Sequence, residues 1–192
     1  MEPFVVNLFG VPSAGKSTGA AYVFSKLKMN GVNAELVTEY AKEKVWENNA
    51  EALKNQVYVF GEQCYRQDRC KDKVDVIITD SPLPLSIFYN RDPRLNQCFN
   101  QTVMDVFNSY NNINYCITRV KPYNPVGRCQ NETESDLMSE PMVKLLADNN
   151  IEFTYKKGDE WSYNEIVAEV MSKLKEYQDS HTEKRIVYKT TL

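Results

Sequence analysis

Short continuous runs of apolar residues alternate along this chain with longer segments in which apolar residues recur every three or four positions. Five runs stand out, at 5–9 (VVNLF), 32–38 (VNAELVT), 74–79 (VDVIIT), 115–118 (YCIT) and 151–155 (IEFTY). Runs of this kind are typical of strands that are buried on both faces of a sheet. We therefore predict five strands.

The segments between these runs have helical periodicity. We predict helices at 16–30, 39–47, 50–73, 101–110, 137–149 and 163–177. Strands that alternate with helices form a parallel sheet covered on both faces, so the predicted fold is α/β, a three-layer sandwich with about five parallel strands. Residues 121–135 contain two prolines and a glycine without periodicity, and we expect them to form a loop.

Composition narrows the class of protein. The length of 192 residues fits one domain, which we place at 1–180, with residues 181–192 as a C-terminal tail. We predict no membrane span and no secretory signal. Five scattered cysteines and one histidine offer no zinc-ligand spacing, so we expect reduced thiols and a cytoplasmic location. The formal net charge of −3 gives no overall attraction to nucleic acid.

The first predicted strand runs directly into a phosphate-loop motif. Residues 10–17 (GVPSAGKS) match G-x-x-x-x-G-K-[ST] between a strand and a helix, which a chance glycine turn would rarely do. In such loops the backbone amides point at phosphate oxygens, the lysine reaches the β- and γ-phosphates, and the hydroxyl can join a magnesium shell. We expect a nucleoside triphosphate to be bound by Gly10, Val11, Pro12, Ser13, Ala14, Gly15, Lys16, Ser17 and Thr18.

Two carboxylates follow predicted strands at the same edge of the sheet. Asp80 ends the third strand in the manner of a Walker B residue, where it would hold Mg²⁺ or accept a proton from an attacking hydroxyl. Its alternative role is a helix N-cap before Ser81 and Pro82. Glu39 follows the second strand and is a candidate general base, or else a first-turn glutamate favoured by the helix dipole.

The predicted loop also carries candidate cations. Arg128 lies inside it and is a candidate lid residue that neutralises charge during phosphoryl transfer, with Lys121 nearby. Arg119, at the end of the fourth strand, is a candidate for contact with phosphate or adenine. The alternative is a solvated basic loop. Further candidates for acceptor contact, more typical of core positions, are Tyr58, Phe60, Tyr65, Arg66, Tyr89, Arg91 and Arg94.

Four segments, FGVPSAGKST, LVTEYAKE, VDVIITDSPL and RVKPYNPVGRCQ, resemble in that order a group of bacteriophage-encoded P-loop kinases. Those kinases are similar to the ribosylnicotinamide kinase domain of NadR-type proteins and, more remotely, to thymidylate kinases. The resemblance covers residues 4–175 and implies an ATP·Mg²⁺-dependent kinase. Within the phage group it further implies phosphorylation of 5-hydroxymethyluracil in viral DNA, a step in thymidine hypermodification.

Three functional hypotheses remain open from the sequence. A kinase for hydroxymethyluracil in DNA would need local basic surface, for which the candidates are Arg66, Arg69, Lys71, Lys73, Lys184, Arg185 and Lys189. A kinase for a free nucleoside or nucleotide is the second, although no paired-arginine signature for a monophosphate is visible. A nucleotide switch or ATPase without an acceptor is the third, and the chain lacks an N-K-x-D guanine reader near the fourth strand.

Overall fold

A five-stranded parallel sheet forms the middle layer of the protein, as the alternating pattern predicts. The computed structural model describes residues 2–95 and 97–190. The strands are β1 (Phe4–Phe9), β2 (Ala34–Val37), β3 (Val76–Thr79), β4 (Asn111–Thr118) and β5 (Thr154–Lys157). Their spatial order is β2-β3-β1-β4-β5, and every pairing is parallel. The carboxyl ends of all five strands therefore meet at one edge.

Nine helices are assigned in the described part of the chain, and most of them cover the two faces of the sheet. They are α1 (Lys16–Met29), α2 (Tyr40–Trp46), α3 (Ala50–Lys54), α4 (Gln56–Asp68), α5 (Leu85–Tyr89), α6 (Gln97–Asn108), α7 (Glu132–Leu137), α8 (Ser139–Asp148) and α9 (Glu160–Thr190). On one face α1 and α9 pack against Val6 and Leu8 of β1, and on the other α6 and α8 pack in a cluster with Val5 and Phe9. The three-layer α/β prediction is confirmed.

Local polar chemistry divides two segments differently from the prediction. The helix predicted over 50–73 is two helices, because the side chains of Asn49 and Asn55 accept hydrogen bonds from the backbone N–H groups of Ala52 and Tyr58 and so cap each start. The loop predicted over 121–135 is wrong at its end. There Asn131 and Glu134 form a capping box that begins α7.

Other boundaries also shift. The fifth strand begins at Thr154 rather than at Ile151. Ile151 is buried but lies in the segment that precedes the strand. Helix α5 was missed, since its five residues are too few to show a period. The last helix runs to Thr190, beyond the predicted 177, so the division into a domain and a tail at 180 stays a prediction. No helix in the described residues is long and apolar enough to cross a membrane.

The turn between β5 and α9 is packed directly on the phosphate loop. Gly158 is buried, and its N–H donates to the carbonyl oxygen of Thr118 at 2.8 Å. A β carbon at Gly158 would overlap the carbonyl oxygen of Ala14 and lie 3.2 Å from that of Thr118. Because backbone atoms cannot move aside as a flexible side chain can, only glycine fits here.

We expect Gly158→Ala to lower the free energy of unfolding by about 2 kcal/mol, because the added methyl group must push the phosphate loop from β4. Urea denaturation would measure the change. A matched control is Gly61→Ala in the exposed interior of α4, where an added β carbon meets nothing within 4 Å. That change should stabilise the protein by about 0.5–1 kcal/mol. Equal stability of Gly158→Ala and the wild type would contradict the packing argument.

Candidate active site

The phosphate-loop motif lies where the sequence predicts it, between β1 and α1. Gly10, Ser13 and Gly15 have φ angles of 137°, 65° and 99°, so the backbone turns sharply before α1 begins at Lys16. Ala14 closes the loop through a 3.2 Å hydrogen bond from its N–H to the carbonyl oxygen of Val11. No acidic residue lies in the first turn of α1, which leaves the positive end of the helix dipole unopposed from within the helix.

The Lys16 side chain folds back over the loop. Its Nζ donates to the carbonyl oxygens of Gly10 at 2.8 Å and Val11 at 3.1 Å. Burial lowers the pKa of the ammonium, while the nearby carboxylates of Glu39 and Asp80 act in the opposite direction. The lysine is therefore held at the carboxyl edge of the sheet, within the field of both predicted carboxylates.

Glu39 and Asp80 are joined through the backbone. Asp80 is 4% exposed at the end of β3, and its Oδ1 accepts a hydrogen bond from the Glu39 N–H at 3.0 Å. Burial raises the pKa of the Glu39 carboxyl, against the opposing charge of Lys16. Glu39 occupies the N-cap position of α2, yet its side chain makes no capping bond. Asp80 caps no helix either, because α5 begins five residues later at Leu85 with Pro84 as its N-cap.

The loop after β4 crosses the phosphate loop and brings Arg128 to the same place. The Asn124 N–H donates to Ser13 Oγ at 3.0 Å, and the buried Ser135 hydroxyl donates to the Pro12 carbonyl oxygen at 2.9 Å. Between these two anchors Arg128 Nε donates to the Asn124 carbonyl oxygen at 2.9 Å. Its guanidinium is close enough to act electrostatically on Lys16 and Glu39.

Lys16, Glu39 and Arg128 line one cavity of about 250 Å³ beside the phosphate loop. Lys42 of α2 lines it as well. Much of the remaining lining comes from α2 to α5 and from the turn before α5, and includes Val45, Leu53, Gln56, Val59, Gln63, Pro82, Leu85, Ser86 and Tyr89. An apolar pocket with a few convergent polar groups is the common form of a site for a small organic molecule.

Sequence reasoning missed two polar members of this cavity, Gln56 and Gln63. Both are at most 5% exposed and belong to α4. A glutamine within a helical pattern carries no chemical signal in the sequence, because it is equally common on solvated faces. Tyr89 was a candidate for acceptor contact and does line the cavity, where burial and the charge of Glu39 raise the pKa of its hydroxyl.

Arg119 is not part of this cavity. Its guanidinium forms ion pairs with Asp136 and, at 3.8 Å, with Glu132, and it stacks over the Tyr123 ring. It lines a second cavity of about 660 Å³, between β4, the start of the phosphate loop and α8. Arg119 Nη1 is buried without a hydrogen-bond partner among the described residues. Contact with a nucleotide stays a prediction for this residue.

The other candidates for acceptor contact do not line this cavity. Arg91 donates to the carbonyl oxygens of Phe88 and Asn90, and Arg94 pairs with Asp92. Tyr65 is 68% exposed, while Phe60 packs edge-to-face on Phe99. The side chains of Lys184, Arg185 and Lys189 lie outside the part of the chain that the structure describes.

The predicted basic surface is partly neutralised. Arg66 donates to both carboxylate oxygens of Glu43, at 2.8 and 2.7 Å, and Lys71 pairs with Glu2 at 3.3 Å. Arg66 also stacks over the Tyr40 ring, 4.9 Å from its centroid. These two cations therefore join α2 and the N-terminal residues to neighbouring segments.

The residues at this edge include oxygen donors of the kind that phosphate-bound magnesium uses. No group of three or more histidine, cysteine or acidic residues within the described chain could enclose a metal ion. Magnesium bound to phosphates keeps several waters and needs only one or two protein oxygens. The exposed Ser17 hydroxyl and the Asp80 carboxylate provide that kind of donor.

Comparison with known proteins supports the fold class. No family model matches the chain, and no curated protein matches it. Among solved structures, deoxyadenosine kinase from M. mycoides with bound dATP matches with a TM-score of 0.52 and 18% identity over 89% of this chain and 99% of that one. The same kinase with bound dCTP gives 0.52 and 15% over 88% and 99%. At these identities the likeness shows a shared fold.

The Glu43–Arg66 pair makes a testable contribution to stability that depends on pH. The hydrogen bonds from Arg66 hold the pKa of the Glu43 carboxyl below its ordinary value. A carboxyl lowered in this way stabilises the fold above its unfolded pKa of about 4.3 and loses that contribution as the pH falls through the folded pKa. Because the Glu43 side chain is 48% exposed, solvent screens the pair.

We therefore expect Glu43→Gln to lower the free energy of unfolding by only about 0.5 kcal/mol at pH 7, and by less below pH about 4. Urea denaturation at pH 7 and pH 3 would measure both values. In an Arg66→Met background the effect of Glu43→Gln should vanish. A difference of the same size at both pH values would show that Glu43 acts by something other than its charge.

Proposed function

We propose that this protein is a kinase that transfers the γ-phosphoryl group of ATP to a hydroxyl group bound in the 250 Å³ cavity. The observation that carries the proposal is the convergence of Lys16, Glu39 and Arg128 on this one cavity beside the phosphate loop. A loop that only held a nucleotide would have no need of a carboxylate and an arginine that both line a separate pocket. Phosphoryl transfer to an acceptor needs both.

The donor side follows from the loop. Backbone amides of residues 10–17 and the start of α1 would bind the phosphates, and Lys16 would exchange its two carbonyl partners for β- and γ-phosphate oxygens. Ser17 and Asp80 are the groups that would hold magnesium, an ion that neutralises charge on the phosphates. Arg128 would add a second positive charge beside the equatorial oxygens of the transferring group, over which the charge is spread.

Glu39 fits the role of general base better than Asp80. The Glu39 side chain lines the cavity, whereas Asp80 lies beneath it with one oxygen bonded to the Glu39 N–H. Burial raises the pKa of Glu39, which makes its carboxylate a better proton acceptor. In this assignment Glu39 takes the proton of the acceptor hydroxyl as that oxygen bonds to phosphorus, and ADP leaves.

The specific acceptor we propose is the hydroxymethyl group of 5-hydroxymethyluracil in viral DNA, on the strength of the sequence resemblance. Glu39 lines a cavity rather than an open surface, so a base in DNA would have to leave its stack to reach it. Such a protein would work in the cytoplasm of an infected host cell, where ATP and viral DNA are both present.

A free nucleoside is the second candidate acceptor. The pairing of Arg66 with Glu43 and of Lys71 with Glu2 favours it, because cations held by carboxylates contribute little to binding a DNA backbone. The similar solved structures are of a deoxyadenosine kinase, a protein named for a nucleoside acceptor.

One experiment distinguishes these acceptors. The protein would be incubated with ATP, Mg²⁺ and either hydroxymethyluracil-containing DNA or a panel of free nucleosides and nucleotides. Mass spectrometry of the digested products would then locate the phosphate. Phosphate on the DNA base supports the first acceptor. Phosphate only on a free nucleoside would replace that acceptor, and release to water alone would favour a switch or ATPase and overturn the kinase proposal.

Lys16→Ala should abolish transfer to the acceptor. Lys16 is the one cationic residue of the phosphate loop at 10–17, so the variant could not neutralise the charge on the β- and γ-phosphates from this loop. The rate of acceptor phosphorylation measures this directly. Lys28→Ala, at the exposed far end of the same helix, is the matched control and should retain full activity. Normal phosphorylation by the Lys16→Ala protein would rule out the assigned site.

Arg128→Ala should slow acceptor phosphorylation by about 1,000-fold, the scale on which an arginine stabilises phosphoryl transfer. Arg94→Ala, an exposed arginine paired with Asp92, serves as the control and should leave the rate unchanged. Retention of the wild-type rate in Arg128→Ala would show that the loop after β4 plays no part in the reaction.

A further inference from the structure

A single buried side chain, that of Gln63, spans the backbone on both sides of Glu39. Gln63 lies in α4 and is 3% exposed. Its Oε1 accepts a hydrogen bond from the Tyr40 N–H at 2.9 Å, and its Nε2 donates to the Thr38 carbonyl oxygen at 3.3 Å. One partner is a donor and the other an acceptor, so the orientation of the amide is fixed by the bonds themselves.

These two bonds complete the fixation of the Glu39 peptide. The Glu39 N–H is held by Asp80 Oδ1 at 3.0 Å, so the Thr38 carbonyl and the N–H groups of Glu39 and Tyr40 are each bound by a side chain from a distant part of the chain. Glu39 lies between the end of β2 at Val37 and the start of α2 at Tyr40, with φ of −62° and ψ of 117°. The amide of Gln63 thus supplies what regular structure does not supply at this point.

Helix α4 is a firm base for this amide. Val59 is buried one turn before Gln63, and Phe60 packs edge-to-face on Phe99 of α6 with ring centroids 5.9 Å apart. The start of α4 is fixed by the Asn55 cap. A side chain on such a helix has little freedom, so its bonds transmit the position of α4 to residues 38–40.

We infer that Gln63 is a positioning residue that holds Glu39 toward the acceptor hydroxyl, an inference that rests on the proposed kinase reaction. Gln63 acts on the backbone and leaves the Glu39 carboxylate free to face the cavity. A displacement of a reacting group by about 1 Å can cost about 100-fold in rate. The loss of Gln63 should therefore appear in the catalytic step rather than in the binding of ATP.

The test uses Gln63→Met, which keeps the length of the side chain and removes both hydrogen bonds. We expect kcat for acceptor phosphorylation to fall by about 100-fold, with KM for ATP and for the acceptor within about twofold of wild type. The matched control is Gln67→Met, one turn later in α4. Gln67 is equally buried and has no bond to residues 38–40, so this variant should keep the wild-type kcat.

A double-mutant cycle shows whether Gln63 acts through Glu39. Once Glu39→Gln has removed the base, Gln63→Met should cause no further loss of kcat. Additive losses in the double variant, or a raised acceptor KM with unchanged kcat, would overturn the inference in favour of direct acceptor contact. So would a Gln63→Met protein of wild-type kcat and lowered thermal stability. Failure of the wild-type protein to phosphorylate any acceptor would instead refute the proposed function, and the positioning role with it.

Discussion

A buried lysine ammonium is stable only where oxygen atoms and opposite charges surround it. The groups at the carboxyl edge of the sheet meet this requirement for Lys16. The carbonyl oxygens of Gly10 and Val11 accept its hydrogen bonds. The carboxylates of Glu39 and Asp80 oppose the effect of its burial. Those carboxylates are themselves brought in by the parallel sheet, because β2 and β3 end at the same edge as β1.

The donor and acceptor sides of the site are built by different means. The phosphate loop is backbone packed on backbone, as the contact of Gly158 with the carbonyl groups of Ala14 and Thr118 demonstrates. The cavity is walled by side chains of short helices and by a loop tied to the phosphate loop at Ser13 and Pro12. The tightly packed phosphate loop tolerates few substitutions. The side chains that line the cavity can change without disturbing the fold. We expect the acceptor to be determined by this second part.

The sequence predicts those parts of the structure that are determined by residues adjacent in the chain. The strand at 5–9, the motif at 10–17 and the helix after it form one local pattern, and the apolar run before Asp80 is another. The parallel edge then predicts that Glu39 and Asp80 approach Lys16. The helix starts at Asn55 and Asn131 were missed. Each depends on a side-chain cap, which the surrounding helical pattern at Asn55 and the loop composition at Asn131 obscure.

What the sequence could not predict depends on contacts between distant segments. Gln63 binds residues 38 and 40 across more than twenty positions, and nothing in the helical pattern of α4 distinguishes it from a solvated glutamine. Arg119 and Arg128 were both candidates in one stretch of chain. Only the tertiary structure separates Arg128 in the small cavity from Arg119 beside α8.

The central claim is that one pocket beside the phosphate loop receives the acceptor. A crystal structure with Mg²⁺, the β,γ-imido analogue of ATP and 5-hydroxymethyl-2′-deoxyuridine tests it most directly. The account predicts analogue phosphates on residues 10–17 and the base between α2, α4 and the loop of Arg128, with its hydroxymethyl group beside Glu39. A nucleotide bound away from residues 10–17, or an acceptor bound outside this cavity, would contradict it.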